Sequence, residues 1–234
     1  MRVAIISTIA IESSTILAKA LNNNGVYARV FDKKETKRTD FSDFDYVFGY
    51  GCSGKSFGAI RINHREAIKI CIDKTCTFDL LKAAKVNTVP YVRYKRDIPK
   101  AWDHIVIRDE IDGRMAGGLS YSENDQAIIP NGELFTEYFE HSYEYRIMVF
   151  MGAIVGRYYK REEDDDWYFN LQPKQGFELM DKHCLRAAEV LGIDYVGFDV
   201  VAKNKKDFRI LEANSGPCIT DEAENAIVSY FINL

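Results

Sequence analysis

Gly197-Phe198-Asp199-Val200-Val201, followed by Phe208-Arg209-Ile210-Leu211-Glu212-Ala213-Asn214-Ser215-Gly216-Pro217, is the stretch that decides the reading of this chain. Asn204-Lys205 lies between two runs of alternating or β-branched residues, the pattern of a hairpin whose paired strands bring Asp199 near Glu212 and Asn214. Glu212 and Asn214 are two apart and so share one face of a strand. Two carboxylates and an amide oxygen form a hard, oxygen-only donor set that suits magnesium, an ion usually completed by waters and nucleotide phosphates. The bland alternative is an amphipathic hairpin with its acids on the wet face. Here the acids are embedded in apolar runs, residues 195–201 and 210–213, where a solvent-facing residue is less expected. That context favours the metal.

Working outward, 234 residues are enough for one compact unit or for two to three small lobes. The 35 acidic and 31 basic residues leave a net charge of -4, and the basic ones are scattered rather than striped, so no nucleic-acid footprint stands out. Five cysteines, Cys52, Cys71, Cys76, Cys184 and Cys218, form no CxxC pair, and the odd number argues for reduced thiols in a cytosol rather than a disulfide framework. The apolar run 3–6 is too short to span a membrane and lacks a signal peptide's flanks, so a cytoplasmic protein without a membrane partner is expected. His64, His104, His141 and His183 match no zinc or Ser-His-Asp pattern.

The class is α/β, passing to α+β in the C-terminal half. A strand over 2–6, a helical pattern through Ile16, Leu17, Ala20 and Leu21 that stops at Asn24-Gly25, and a strand over 27–31 make a β-α-β unit with a parallel sheet. Tyr46-Val47-Phe48 is a further strand, and residues 1–72 form a small α/β domain. A helix from Asp73 stops before Val89-Pro90 and opens a second lobe, residues 73–135, with strands at 105–108 and 119–121 around the glycine loop 113–118. In the third part, residues 136–234, strands over 134–139 and 145–150 precede the turn Met151-Gly152 and a strand over 153–159. Helices follow over 181–191 and from Thr220. The acidic run 162–166 is a solvated loop.

Gly49-Tyr50-Gly51-Cys52-Ser53-Gly54-Lys55-Ser56 fits the G-x-x-x-x-G-K-S pattern of a P-loop and follows a strand. In that alternative Lys55 reaches terminal phosphates, Ser56 holds magnesium, and the chain is a nucleotide kinase or NTPase. The motif needs a helix starting at Lys55-Ser56. Phe57-Gly58-Ala59-Ile60-Arg61-Ile62 is a poor helix start, and a helix begins more naturally near Asn63. On the plain reading Lys55 is a solvent-facing lysine.

Read in order, these pieces resemble the ATP-grasp superfamily, in particular small carboxylate-amine ligases similar to the ribosomal-protein glutamate ligases and related peptide ligases. Its most specific part is Gly197-Phe198-Asp199 with Leu211-Glu212-Ala213-Asn214-Ser215-Gly216-Pro217, which looks like that family's metal-binding stretch with Asn-Ser-x-Pro behind it. The resemblance implies an ATP-grasp fold with an N-terminal Rossmann-like pre-ATP-grasp domain, and Asp199, Glu212 and Asn214 as magnesium ligands. It further implies phosphate contacts at Lys74 and Arg108 and a mobile phosphate-covering flap with Gly113, Gly117 and Gly118. An inter-lobe hinge at Glu137, Tyr138 and Phe139 would hold the adenine edge, and Glu144 would meet the ribose. Bottom-up, Glu137 and Glu144 read equally as outward residues on a strand pair, and the glycine loop as an ordinary hairpin turn.

Relatives often carry Arg-x-Asn where this chain has Tyr168-Phe169-Asn170, so Tyr168 stands in the arginine's place. Asn170 remains as a candidate catalytic residue, joined by Arg161, whose alternative is pairing with its acidic neighbours. The activity implied is ATP- and Mg2+-dependent joining of a carboxylate to an amine through an acyl phosphate, with Mn2+ as a substitute ion and a homodimer as an assembly common among similar proteins. The rival from a non-enzyme class is an ATP-binding regulatory module without turnover.

Overall fold

The computed structural model of the chain describes all residues except 9–11, 55–58, 110–118, 126–128 and 164–165. Strands β1 (Arg2–Ser7), β2 (Tyr27–Asp32), β3 (Tyr46–Tyr50) and β4 (Ile60–Ile62) form a parallel sheet in the order β2-β1-β3-β4, with helix α1 (Glu12–Asn23) between the first two strands. Its central strand reads as a continuous apolar run because both faces are covered. Val3 and Ile5 pack with Leu17, Leu21 and the C-terminal helix, while Ala4 and Ile6 meet Phe31, Phe41 and Phe44 on the other side.

Strands β5 (Tyr91–Val92), β6 (His104–Arg108), β7 (Leu119–Glu123) and β8 (Leu134–Glu137) make an antiparallel sheet ordered β5-β8-β6-β7. The third sheet is also antiparallel, with β9 (Tyr143–Phe150), β10 (Ala153–Glu163), β11 (Asp166–Leu171), β12 (Tyr195–Ala202) and β13 (Phe208–Asn214) in the order β11-β10-β9-β12-β13. The β9–β10 turn puts Met151 at φ 48° and Gly152 at φ 74°, the double left-handed turn that matches hairpin twist. Residues 162–166, expected as a loop, belong mostly to the two strands of the β10–β11 hairpin, where Glu163 pairs with Asp166.

The third sheet has two unlike faces. Tyr145, Ile147 and Val149 of β9 and Val196, Phe198 and Val200 of β12 pack under α2 (Arg65–Ile72), α3 (Lys74–Ala83) and α4 (Glu178–Leu191). The alternate residues Met148, Phe150 and Tyr195 face the parallel sheet and α5 (Asp221–Ile232). Period-two alternation thus sends one set of side chains to a dry helical layer and frees the other for chemistry.

Local caps place the elements. Asp73 accepts from the Thr75 and Cys76 amides at the start of α3, 2.9 and 3.0 Å away, satisfying donors that a helix start leaves open. Asn63, fully buried at φ 58°, is a clasp between the first and third sheets. Its side-chain amide donates to the carbonyls of Gly49, Tyr195 and Ser215, and its Oδ1 accepts from the amides of Asp194 and Tyr195. Beside it the loop after β3 meets the loop after β13, where the Gly51 amide donates to Ser215 at 3.0 Å. A Cβ on Gly216 would lie 2.9 Å from Gly51 Cα, so this contact requires glycine.

Candidate active site

The register of the third sheet gathers charge on its open face. Arg146 on β9 lies opposite both Tyr158 and Asp199, Lys160 on β10 lies opposite Glu144, and Asp199 on β12 lies opposite Glu212 on β13. Gly197 is paired with Asn214, so the three expected ligands share this face. Their hairpin forms as the alternation foretold.

Arg146 grips Asp199 with two bonds, Nε to Oδ1 at 2.7 Å and Nη2 to Oδ2 at 2.8 Å, a bidentate geometry that fixes the carboxylate's direction. Burial opposes the Arg146 charge, but Asp199 and Cys218 together leave the guanidinium pKa raised. Lys160 Nζ stands 3.5 Å from Glu144 Oε2 and 4.0 Å from Asp199 Oδ2. From the other side, Lys74 at the start of α3 brings Nζ to 3.8 Å from Glu212 Oε1. Arg108, at the end of β6, is pushed down by burial and pulled back up by Glu212.

Four cations, Lys74, Arg108, Arg146 and Lys160, therefore surround three carboxylates, Glu144, Asp199 and Glu212. Arg108 Nε is one of only two buried side-chain nitrogen or oxygen atoms that lack a hydrogen-bond partner among the described residues. Buried donors are nearly always satisfied, which makes this one a candidate to meet a ligand oxygen. Among the described residues no group of three or more His, Cys, Asp and Glu is placed to hold a metal. The donor set here is instead two carboxylates and the Asn214 amide oxygen, which now accepts from the Gly216 amide at 3.1 Å. Oxygen donors on one face, with a phosphate-seeking guanidinium beside them, fit a magnesium-bound polyphosphate.

A cavity of about 510 Å³ opens beside Glu144, lined also by His104, Tyr121, Tyr138 and His141. That size and its mix of rings and polar groups suit a nucleoside. The Tyr138 ring stands 6.0 Å from that of Tyr121 and 6.1 Å from that of His141. The residues expected as a hinge already have partners: the Tyr138 amide donates to His104 at 2.9 Å, and the Phe139 carbonyl lies 2.7 Å from His141 Nδ1. The Glu137 amide donates to Pro90 at 3.0 Å.

Gly113, Gly117 and Gly118 lie outside the described residues, as do Lys55 and Ser56. After the glycine turn at 49–54, residues 55–58 lie outside the described residues; beyond them strand β4 occupies 60–62, and the next described helix, α2, begins at Arg65. The turn's own carbonyls are held by arginines, Arg61 on Cys52 and Gly54 and Arg65 on Ser53. A P-loop helix begun at Lys55-Ser56 would still be running at 60–62, where the chain is a strand, so the described residues do not give that motif its context.

Arg161 and Asn170 are not gathered with the rest. Arg161 lies opposite Tyr168, and Asn170 opposite Tyr159, whose ring packs on Tyr145 under the helical layer. Both therefore belong to the face away from Asp199. Lys160 takes the site-facing position, and Phe169 of β11 faces Arg146, ring to guanidinium, at 5.2 Å. Lys160 and His141 are residues that pattern reading did not assign to the site. Arg146 is read together with Glu144, two residues away on one strand, as part of an acidic-x-Arg pattern, but is given no role of its own by that pattern.

No protein-family model matches the chain, and no curated protein matches it in sequence. Solved structures do. The ATP-grasp ligase PsnB complexed with a minimal precursor superposes with TM-score 0.74 at 13% identity, covering 99% of this chain and 97% of that one. D-alanine–D-alanine ligase from Bacillus anthracis complexed with ATP gives 0.70 at 14% identity over 100% and 95%. The macrocyclase MdnC bound with precursor peptide MdnA from Microcystis aeruginosa gives 0.70 at 12% identity over 100% of both chains. The chain has the ATP-grasp fold.

Proposed function

We propose that this protein is an ATP- and magnesium-dependent carboxylate-amine ligase that makes an amide or peptide bond through an acyl phosphate. One observation carries the proposal: three carboxylates and four cations converge on the open sheet face, with the Arg108 Nε donor buried and unmatched beside them. Several fixed cations next to oxygen donors, with the unmatched Arg108 donor among them, suit a polyphosphate and not a neutral substrate.

Asp199, Glu212 and Asn214 would hold magnesium, which supplies charge neutralisation for phosphoryl transfer. Arg146 keeps Asp199 aimed, and Lys74 and Arg108 meet phosphate oxygens. Glu144 and the cavity at Tyr121 and Tyr138 receive the nucleoside. A substrate carboxylate oxygen attacks the γ-phosphorus, the bond to the β-phosphate oxygen breaks, and ADP leaves. The amine then attacks the acyl carbon, inorganic phosphate departs with the C–O electron pair, and the amine's extra proton goes to solvent or a phosphate oxygen. Arg161 and Asn170, on the opposite face, take no part in this account. Flap residues Gly113, Gly117 and Gly118 would cover the phosphates during the reaction.

The solved structures of like fold include ligases bound to precursor peptides, which supports a peptide as carboxylate or amine donor. A reducing, cytosolic setting is supported by five free cysteines, and among the described residues no helix is long and apolar enough to cross a membrane.

The test is ADP release with peptides and amino acids as paired substrates, read together with mass spectrometry for a product joined with loss of one water. Hydroxylamine should trap the activated acid as a hydroxamate, and only when ATP is present. ATP binding without ADP release across the panel would point to a regulatory module instead.

A further inference from the structure

We propose that His141 is a positioning residue that holds the Glu144 carboxylate ready for the two hydroxyls of a nucleotide's ribose, so that sugar selectivity in this protein depends on it. The inference rests on the nucleotide reading above. It adds a residue of this chain and a selectivity that follows from its placement.

His141 lies in the short connection between β8 and β9. Its Nδ1 is 2.7 Å from the Phe139 carbonyl and its Nε2 is 3.2 Å from Glu144 Oε1. Both partners are acceptors. A neutral imidazole carries one N–H and one lone pair, so it would turn the lone pair toward one of them, whereas the imidazolium donates to both. The ring thus ties the carboxylate to the backbone of the hinge.

The other oxygen, Glu144 Oε2, faces Lys160 Nζ at 3.5 Å. Glu144 is therefore held from two separate elements, the β8–β9 connection and β10, one oxygen each. Its side chain is 37% exposed, on the wall of the nucleoside-sized cavity. Without these anchors a half-exposed glutamate would sample several rotamers. Held this way, each oxygen keeps acceptor capacity directed at the cavity, because a carboxylate offers about four lone-pair sites and the two anchors use one on each oxygen. Two fixed acceptors side by side match a vicinal diol. A sugar lacking either hydroxyl leaves one carboxylate oxygen unmatched, and a site built around a polar group discriminates strongly against its absence. The preorganisation matters because an aligned acceptor does not have to be ordered when the ligand arrives.

The experiment is a calorimetric comparison of Mg·ATP, Mg·2′-deoxy-ATP and Mg·3′-deoxy-ATP with the parent protein, His141→Ala and His141→Gln. The parent should prefer ATP by about tenfold or more, a ratio expected when a hydrogen bond to a charged group is lost. His141→Ala should lose about tenfold in ATP affinity while the two deoxynucleotides barely move, so the preference collapses. His141→Gln, a neutral donor of similar reach, should recover part of it. An unchanged preference in His141→Ala, or equal weakening of all three nucleotides, would overturn the role of His141. Failure of the parent to bind any of them would remove the nucleotide reading itself and the inference with it.

Discussion

Two arginine–aspartate pairs sit on opposite faces of the same sheet, and taken alone they are nearly indistinguishable. Arg146 holds Asp199 at 2.7 and 2.8 Å on the open face, with side chains 12% and 18% exposed. Arg157 on β10 holds Asp181 in the first turn of α4 at 2.6 to 3.0 Å, with side chains 13% and 9% exposed. What separates them is company. Arg157 and Asp181 neutralise one another and tie a helix to a strand, beside a groove of about 1190 Å³ that holds none of the site carboxylates. Arg146 and Asp199 stand among Lys160, Glu144, Glu212, Lys74 and Arg108, whose Nε lacks a hydrogen-bond partner among the described residues. A buried ion pair is weak evidence for stability or function by itself; the clustered charges and the unsatisfied Arg108 donor beside it are the informative part.

The contrast can be broken by substitution. The largest effect should come from Glu212→Gln, which removes a proposed ligand without orphaning a bidentate partner. Turnover should fall about 1,000-fold, about 4 kcal/mol in transition-state terms, with little change in thermal midpoint. A steady-state ADP assay checks the first part and a melting curve the second. Next comes Asp181→Ala, which leaves Arg157 buried and unpaired. It should cost about 3–5 kcal/mol in urea unfolding with turnover per folded molecule unchanged. Replacing both partners, with Asp181→Leu and Arg157→Met together, should restore most of that loss.

A smaller shift in stability than at Asp181, and opposite in sign, is expected from Arg108→Met. Removing a buried guanidinium whose Nε has no partner should raise stability by about 1 kcal/mol, while Mg·ATP affinity drops about tenfold or more. Equal stability losses at Arg108 and Asp181 would erase the distinction between a site cation and a structural one.

Much of this arrangement was legible in the residue order. The β12–β13 hairpin follows from Asn204-Lys205 lying between two runs of alternating or β-branched residues, and the first β-α-β unit from a clean helical stripe ended by Asn24-Gly25. The helix start at Asp73 follows from its capping chemistry. The exchange of Arg161 for Lys160 was not legible, and its cause is a bulge. Ile154 pairs with Val149 and Gly156 with Met148, so Val155 is an extra residue on β10. One added residue flips every later side chain to the other face. Counted from the turn at 151–152 without that bulge, Arg161 would share the face of Arg146; with it, Lys160 does. The role of His141 was hidden for another reason, since its partners are a backbone carbonyl and a carboxylate brought together only by the fold.

The central claim is that the open face of the third sheet, and not the glycine turn after β3, binds the nucleotide. Titrating Mg·ATP calorimetrically into the parent, Arg108→Met and Lys55→Ala tests it most directly. The account predicts binding by the parent, a loss of about tenfold or more at Arg108→Met, and parent-like binding by Lys55→Ala. Binding abolished by Lys55→Ala and untouched by Arg108→Met would contradict it.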